Sequence, residues 1–180
     1  MSDSDVKAFR LEPRNPLAWA LFPVFEERCL AFIEREGIDA DTEIFRQELR
    51  ARFFHPQPNT RRMYLFIDEA GIARGHFVAW LDVAWGRPYI HVNQLDVDEH
   101  YTCAAVKDGM FVAMDEWTEV LNKDVPDGCP TVDEVSFWTW HEPDVFVRYL
   151  RSGCDLKVSR YVLKYSVAER KKAINEKALN

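Results

Sequence analysis

The spacing of apolar positions changes several times along this chain, and each change marks an element. Val6, Ala8, Phe9 and Leu11 are interleaved with polar residues, which predicts a first strand over 6–12, closed by Pro13 and Pro16. Asn15 followed by Pro16 supplies a capping side chain and then a proline at the first helical position. Trp19, Phe22, Phe25, Cys29, Phe32 and Ile33 recur at three- to four-residue steps, so 16–36 reads as an amphipathic helix ending at Gly37. Pro23 is expected to bend it or to mark a late start. Asp39 or Asp41 caps a second helix over 41–54, with an apolar stripe through Ile44, Leu49 and Phe53, and the proline-rich stretch 55–59 closes it.

From Arg62 the chain becomes rich in aromatic and branched residues, with Met63-Tyr64-Leu65-Phe66-Ile67 in one run. That composition predicts strands over 62–68 and 72–85 around the turn Asp68-Glu69-Ala70-Gly71, then a third strand over 89–96 after Gly86-Arg87-Pro88. Val106, Met110, Phe111, Met114, Trp117 and Leu121 restore helical spacing over 104–121. A strand over 132–140, a short helix over 143–152 that stops at Gly153, and a strand over 156–167 complete the reading. The order β-α-α-β-β-β-α-β-α-β implies an α/β (α+β) domain over 1–167, with one mixed sheet and helices on both faces. Residues 168–180 read as a basic C-terminal arm, helical or disordered.

Composition refines this picture without redirecting it. A length of 180 residues, 47% of them hydrophobic, suits one domain whose core needs no metal or disulfide staple. No stretch approaches the ~20 apolar residues that span a bilayer. The opening Met1-Ser2-Asp3-Ser4-Asp5 lacks the apolar run of a signal peptide, so a cytoplasmic location is expected. A net charge of -7 argues against direct binding to nucleic acid. Cys29, Cys103, Cys129 and Cys154 form no C-x-x-C pair and are expected to be reduced thiols.

The charge is unevenly placed. Residues 96–144 carry 13 acidic and two basic side chains, whereas 145–180 carry nine basic and three acidic ones. Asp96, Asp98, Glu99, His100 and His91 have metal-ligand chemistry, but alternation along a strand sends neighbours to opposite faces, so no metal site is expected. Trp138 and Trp140 share one face of their strand, which is either core or a surface for a protein partner. The basic arm is the other candidate partner surface, facing an acidic protein.

Two local patterns carry a resemblance. Asn93-Gln94-Leu95-Asp96-Val97-Asp98 precedes the 104–121 helix, and Glu142, Val145, Tyr149, Gly153 and Cys154 follow at regular steps near the C-terminal end. With the element order, this resembles the GCN5-related N-acetyltransferase (GNAT) family, in which a strand ending L-x-V leads into the central helix. That family often shows N-x-x-A-x-x-x-Y-x-x-x-G-F near its C-terminus. The resemblance spans roughly residues 5–167, and it implies acyl-CoA chemistry with Leu95 and Val97 on the cofactor strand. It makes Tyr149 the general acid that protonates the departing thiolate. Glu99, Asp96 or His91 would then serve as base through water.

The sequence departs from the family at the cofactor loop. Where the family has Q/R-x-x-G-x-G/A, this chain has Thr102-Cys103-Ala104-Ala105-Val106-Lys107, with Thr102, Ala105 and Lys107 at the key steps. Backbone amides that close on a pyrophosphate leave little room for side chains. Asp96, Asp98, Glu99 and Asp108 crowd the same turn, and two like charges about 6 Å apart repel by nearly 3 kcal/mol at an effective dielectric of ~20. The stretch after Gly153 is also shorter than the family's two-strand hairpin. Sequences with this fold and such a loop resemble those that tailed bacteriophages encode, sometimes among virion genes. The resulting expectation is a structural or interaction protein without a cofactor, a virion component in that setting. The alternative is an acetyl-CoA-dependent N-acetyltransferase acting on a cationic amine or lysine-bearing substrate.

Overall fold

The computed structural model describes residues 6–57, 60–98 and 104–137. Eight elements follow in order: β1 (Lys7–Arg10), α1 (Pro16–Arg35), α2 (Thr42–Phe54), β2 (Arg61–Ile67), β3 (Ala73–Ala84), β4 (Arg87–Val97), α3 (Ala104–Asn122) and β5 (Val135–Phe137). The strands form one sheet in the order β1-β2-β3-β4-β5. The first four are antiparallel neighbours, and β5 joins β4 in parallel after the α3 crossover. This is the mixed sheet with helices on both faces that the sequence predicts. The predicted elements 143–152 and 156–167, the arm 168–180, and Trp138 and Trp140 lie outside the described residues.

Both faces are packed. On one, Phe22, Phe25 and Cys29 of α1 and Leu49 and Phe53 of α2 cover Met63, Leu65 and Val78. On the other, Val106, Met110, Met114 and Trp117 of α3 cover Tyr64, Phe66, Phe77, Ala79, Ile90 and Val92. The α3 helix also passes close to β1, where a Cβ on Gly109 would lie 3.2 Å from the Val6 carbonyl oxygen.

The cap of α1 lies where the sequence puts it, and of the two candidates for α2 Asp41 is the cap. Asn15 Oδ1 accepts from the Leu17 amide at 3.0 Å, and Asp41 Oδ1 accepts from Glu43 and Ile44, each at 3.0 Å. Two expectations change. Helix α1 starts at Pro16 and runs through Pro23, so the proline does not mark a late start. In α2 the inward stripe is Phe45, Leu49 and Phe53, while Ile44 is exposed. Glu26 of α1 draws α2 round: it is nearly buried and accepts from Arg50 Nε and Nη2 at 2.7 and 2.8 Å.

Candidate active site

The candidate site lies at the C-terminal end of β4, where the strand leads toward α3. Its geometry begins with a register break. Val78 pairs with Gln94 and Ala79 pairs with Val92, so Asn93 is an extra residue in β4. A bulge of this kind bends a strand and shifts the alternation of its side chains by one position. Ile90 and Val92 pack on the α3 side, and beyond the bulge so do Leu95 and Val97. Gln94 and Asp96 are thereby turned toward α1. On the far side of β4, parallel pairing with β5 runs from Ile90 opposite Val135 to Val92 opposite Phe137.

Asp96 is only 8% exposed and is held by two arginines of α1. Arg35 Nη2 donates to its Oδ1 at 2.7 Å, and Arg28 Nη2 reaches its Oδ2 at 3.3 Å. Arg28 Nη2 also donates to Asp98 Oδ1 at 2.6 Å, and Arg28 Nη1 to the Ala73 carbonyl at 3.4 Å. Arg28 and Arg35 are seven residues apart, two turns along one helix face, so both reach the same strand end. The carboxylates at 96 and 98 are thus ion-paired to α1, where Arg35 also donates from Nε to Glu36 Oε1 at 3.1 Å.

His76 of β3 lies beneath this cluster. It is fully buried, with Nδ1 3.7 Å from Asp96 Oδ2, and packs edge-on against Phe25 and Phe32. Neither ring nitrogen makes a hydrogen bond of good geometry among the described residues. Burial pushes its pKa down to about 4, against the opposing pull of Asp96. Cys29, in the same layer, has its thiol pushed up, first by burial and then by Asp96, which leaves it an inert buried thiol. Cys129 is exposed and also free.

Of the residues expected from sequence, Leu95 and Val97 sit on the α3 face of β4, just before the turn. Ala105 and Lys107 fall in the first turn of α3, which contains no acidic residue. Glu99, Thr102 and Tyr149 lie outside the described residues. His91 faces away from this end, against Trp80, with its Nδ1 2.9 Å from Ser136 Oγ. Arg28, Arg35, His76 and the Asn93 bulge were not singled out from the sequence. The signals were present: two arginines at a seven-residue step, a histidine inside an apolar strand, and the switch from Ile90 and Val92 to Leu95 and Val97.

No sequence-family model matches the chain, and no curated protein matches it either. Solved structures do. An aminoglycoside acetyltransferase from an uncultured soil metagenomic sample, in complex with sisomicin, matches 90% of this chain and 97% of its own, with a TM-score of 0.56 at 15% identity. A Trypanosoma brucei acetyltransferase matches 89% of this chain and all of its own (100%), with a TM-score of 0.53 at 14% identity. An integron cassette protein from the mobile metagenome of Cole Harbour salt marsh matches 91% of this chain and 90% of its own, with a TM-score of 0.58 at 14% identity. The fold is GNAT-like.

These neighbours correct two expectations. The first is that the chain is a structural or virion component that has lost acyl-CoA chemistry; the second is that it uses no cofactor. Solved proteins that share this fold over nearly the whole chain are described as acetyltransferases, and none of these comparisons points to a virion or a bacteriophage source. The electrostatic objection behind both expectations is also weaker than the sequence suggests, at two of its four carboxylates. It counted Asp96 and Asp98 as free charges, whereas Arg28 and Arg35 compensate them across the sheet. Among the described residues no helix is long and apolar enough to cross a membrane.

Proposed function

We propose that this protein is an acyl-CoA-dependent N-acetyltransferase, acting at the end of β4 and the start of α3. The observation that carries the reading is the Asn93 bulge followed by an α3 first turn without acidic side chains, beside two carboxylates ion-paired to α1. The first amides of a helix have no intrahelical acceptor and carry the positive end of its dipole. Here they belong to 104–107, and they suit a pyrophosphate. Thr102, Ala105 and Lys107 stand at the family's loop positions, and the lysine adds a positive charge. Leu95 and Val97 provide the strand edge on the α3 face. A bound acyl-CoA would supply the activated thioester.

Tyr149 is the proposed general acid for the thiolate, and Glu99 the proposed base for the amine through water. Asp108, Asp115, Glu116 and Glu119 are exposed along α3 and favour a cationic amine or lysine-bearing acceptor. Calorimetric titration with acetyl-CoA and with CoA at low salt tests the reading. Micromolar binding is expected. Tyr149→Phe is expected to keep that binding while turnover falls about 100-fold or more, the usual scale for a lost general acid. No heat with either compound, together with no protection of the 104–107 amides by NMR, would remove the proposal.

A further inference from the structure

A cleft lies away from the candidate active site. It has a volume of about 490 Å³, within the range of small-molecule sites, and is formed by the β1–α1 turn, the end of α2 and the start of β2. Strand register fixes its position. Gly75 pairs with Val97 at the active-site end of the sheet, whereas Arg61 pairs with Trp80 five residues further along β3. That is a displacement of about 17 Å along the strand.

The chemistry of the lining is unusual for a chain of net charge -7. Arg14, Arg52 and Arg61 line it together with one carboxylate, Glu12, whereas Arg10 and Arg62 border it with side chains on the α3 face of the sheet: Arg10 is opposite Tyr64, and the Arg62 guanidinium lies 4.7 Å over the Trp117 ring. Arg10 is paired with Glu12, and Arg52 with Glu48 at 2.9 Å. Arg14 and Arg61 are exposed, and neither makes an ion pair among the described residues. Burial and then the charge of Arg61 push the pKa of Arg52 down, so these guanidinium groups repel one another across the cleft. The floor is apolar: Leu11, Met63 and Val78 are buried beneath the arginines.

The walls are fixed before any ligand arrives. The Leu11 amide donates to the Met63 carbonyl at 2.9 Å, the Asn15 amide to Glu12 O at 2.9 Å, and Trp19 Nε1 to the Pro13 carbonyl at 2.7 Å. Guanidinium groups recognise planar oxyanions through paired hydrogen bonds, and here those of Arg14, Arg52 and Arg61 border an apolar floor.

We propose that this cleft is a second ligand site, which takes a small organic anion with a phosphate or carboxylate head and an apolar body. The head engages Arg14 and Arg61, beside Arg52, and the body rests on Leu11, Met63 and Val78. The site is independent of acyl transfer and stands whether or not acetyl-CoA binds at α3.

The test is an NMR titration of the full chain with phenyl phosphate, benzoate and neutral benzyl alcohol, observing backbone amides and arginine Nε–H groups. Phenyl phosphate or benzoate should shift the amides of 11–14 and 61–63 together and leave 104–108 unmoved. Benzyl alcohol should bind about tenfold more weakly, or worse, because it lacks the charge-assisted bonds. Arg14→Ala combined with Arg61→Ala should weaken the anions by a similar factor, with the amide spectrum elsewhere unchanged. Comparison of the two anions identifies the preferred head group. No shifts at millimolar probe, shifts scattered over all exposed arginines, or equal affinity in the double variant would each overturn the proposal.

Discussion

Single residues at the strand ends set the tightest constraints on this molecule. At Gly75, a Cβ would lie 2.4 Å from the Asp96 carbonyl oxygen and 3.0 Å from the Phe66 ring. The obstacle is backbone, so β3 and β4 would have to part. Gly75→Ala is expected to destabilise the fold by on the order of 2–3 kcal/mol, read as a lower urea midpoint. His76 imposes a different constraint, through its charge. Its pKa is depressed to about 4 in the folded chain, against 6.5 when exposed. Protons then bind the unfolded state preferentially between those values, so stability is complete above pH 6.5 and falls as the pH drops toward 4. The integrated loss is about 3 kcal/mol in scale. Thermal melts from pH 7 to 4 should show that slope, and His76→Phe should flatten most of it. The cap at Asn15 was legible in the sequence, and Asp41 as one of two candidates, because caps act within three residues. Arg28 and Asp96 were not, because 68 positions separate them.

At the level of elements, tertiary packing overrides local preference in two places. Proline inside a helix removes one hydrogen bond and costs about 3 kcal/mol in isolation. Yet α1 continues through Pro23, because Phe22 before it and Phe25, Cys29, Phe32 and Ile33 after it are all buried. In α2 the choice between Ile44 and Phe45 as the inward residue depends on Phe22 and Phe53, whose rings stack 4.2 Å apart and set the helix rotation. The start of α2 has no such support from the core, since residues 41–44 are all exposed. Its capping bonds therefore carry more weight. Asp41→Ala is expected to cost about 1 kcal/mol, seen in denaturant unfolding as a shifted midpoint with an unchanged slope. The element list over the described residues was largely legible, with boundaries within a few residues, because the helices carry apolar stripes at helical spacing and the central strands carry continuous runs of aromatic and branched residues.

At the scale of the whole molecule, the sheet brings opposite charges from distant segments to one end. Asp96 and Asp98 belong to an acidic stretch that, read linearly, repels an anionic ligand. In the fold, α1 lies across that strand end and its arginines offset both carboxylates. On the proposed function, this compensation is what allows a pyrophosphate near α3. Arg28→Gln should then weaken acetyl-CoA binding by on the order of 1 kcal/mol, about fivefold, with the loss growing at low salt. Calorimetry at two ionic strengths checks it, and an unchanged affinity would show that the cluster only braces the sheet.

The amino-acid order alone determined the succession of elements over the described residues, the cap at Asn15, the hairpin at Asp68–Gly71 and the mixed, double-sided sheet. Periodicity and capping are local, and both are written into neighbouring residues. Only the tertiary structure decided which charges remain free at the end of β4, which of two adjacent residues in α2 turns inward, and where the arginines gather around a cleft. Those outcomes depend on pair distances between segments tens of residues apart, and electrostatic energy follows distance in space, not position along the chain.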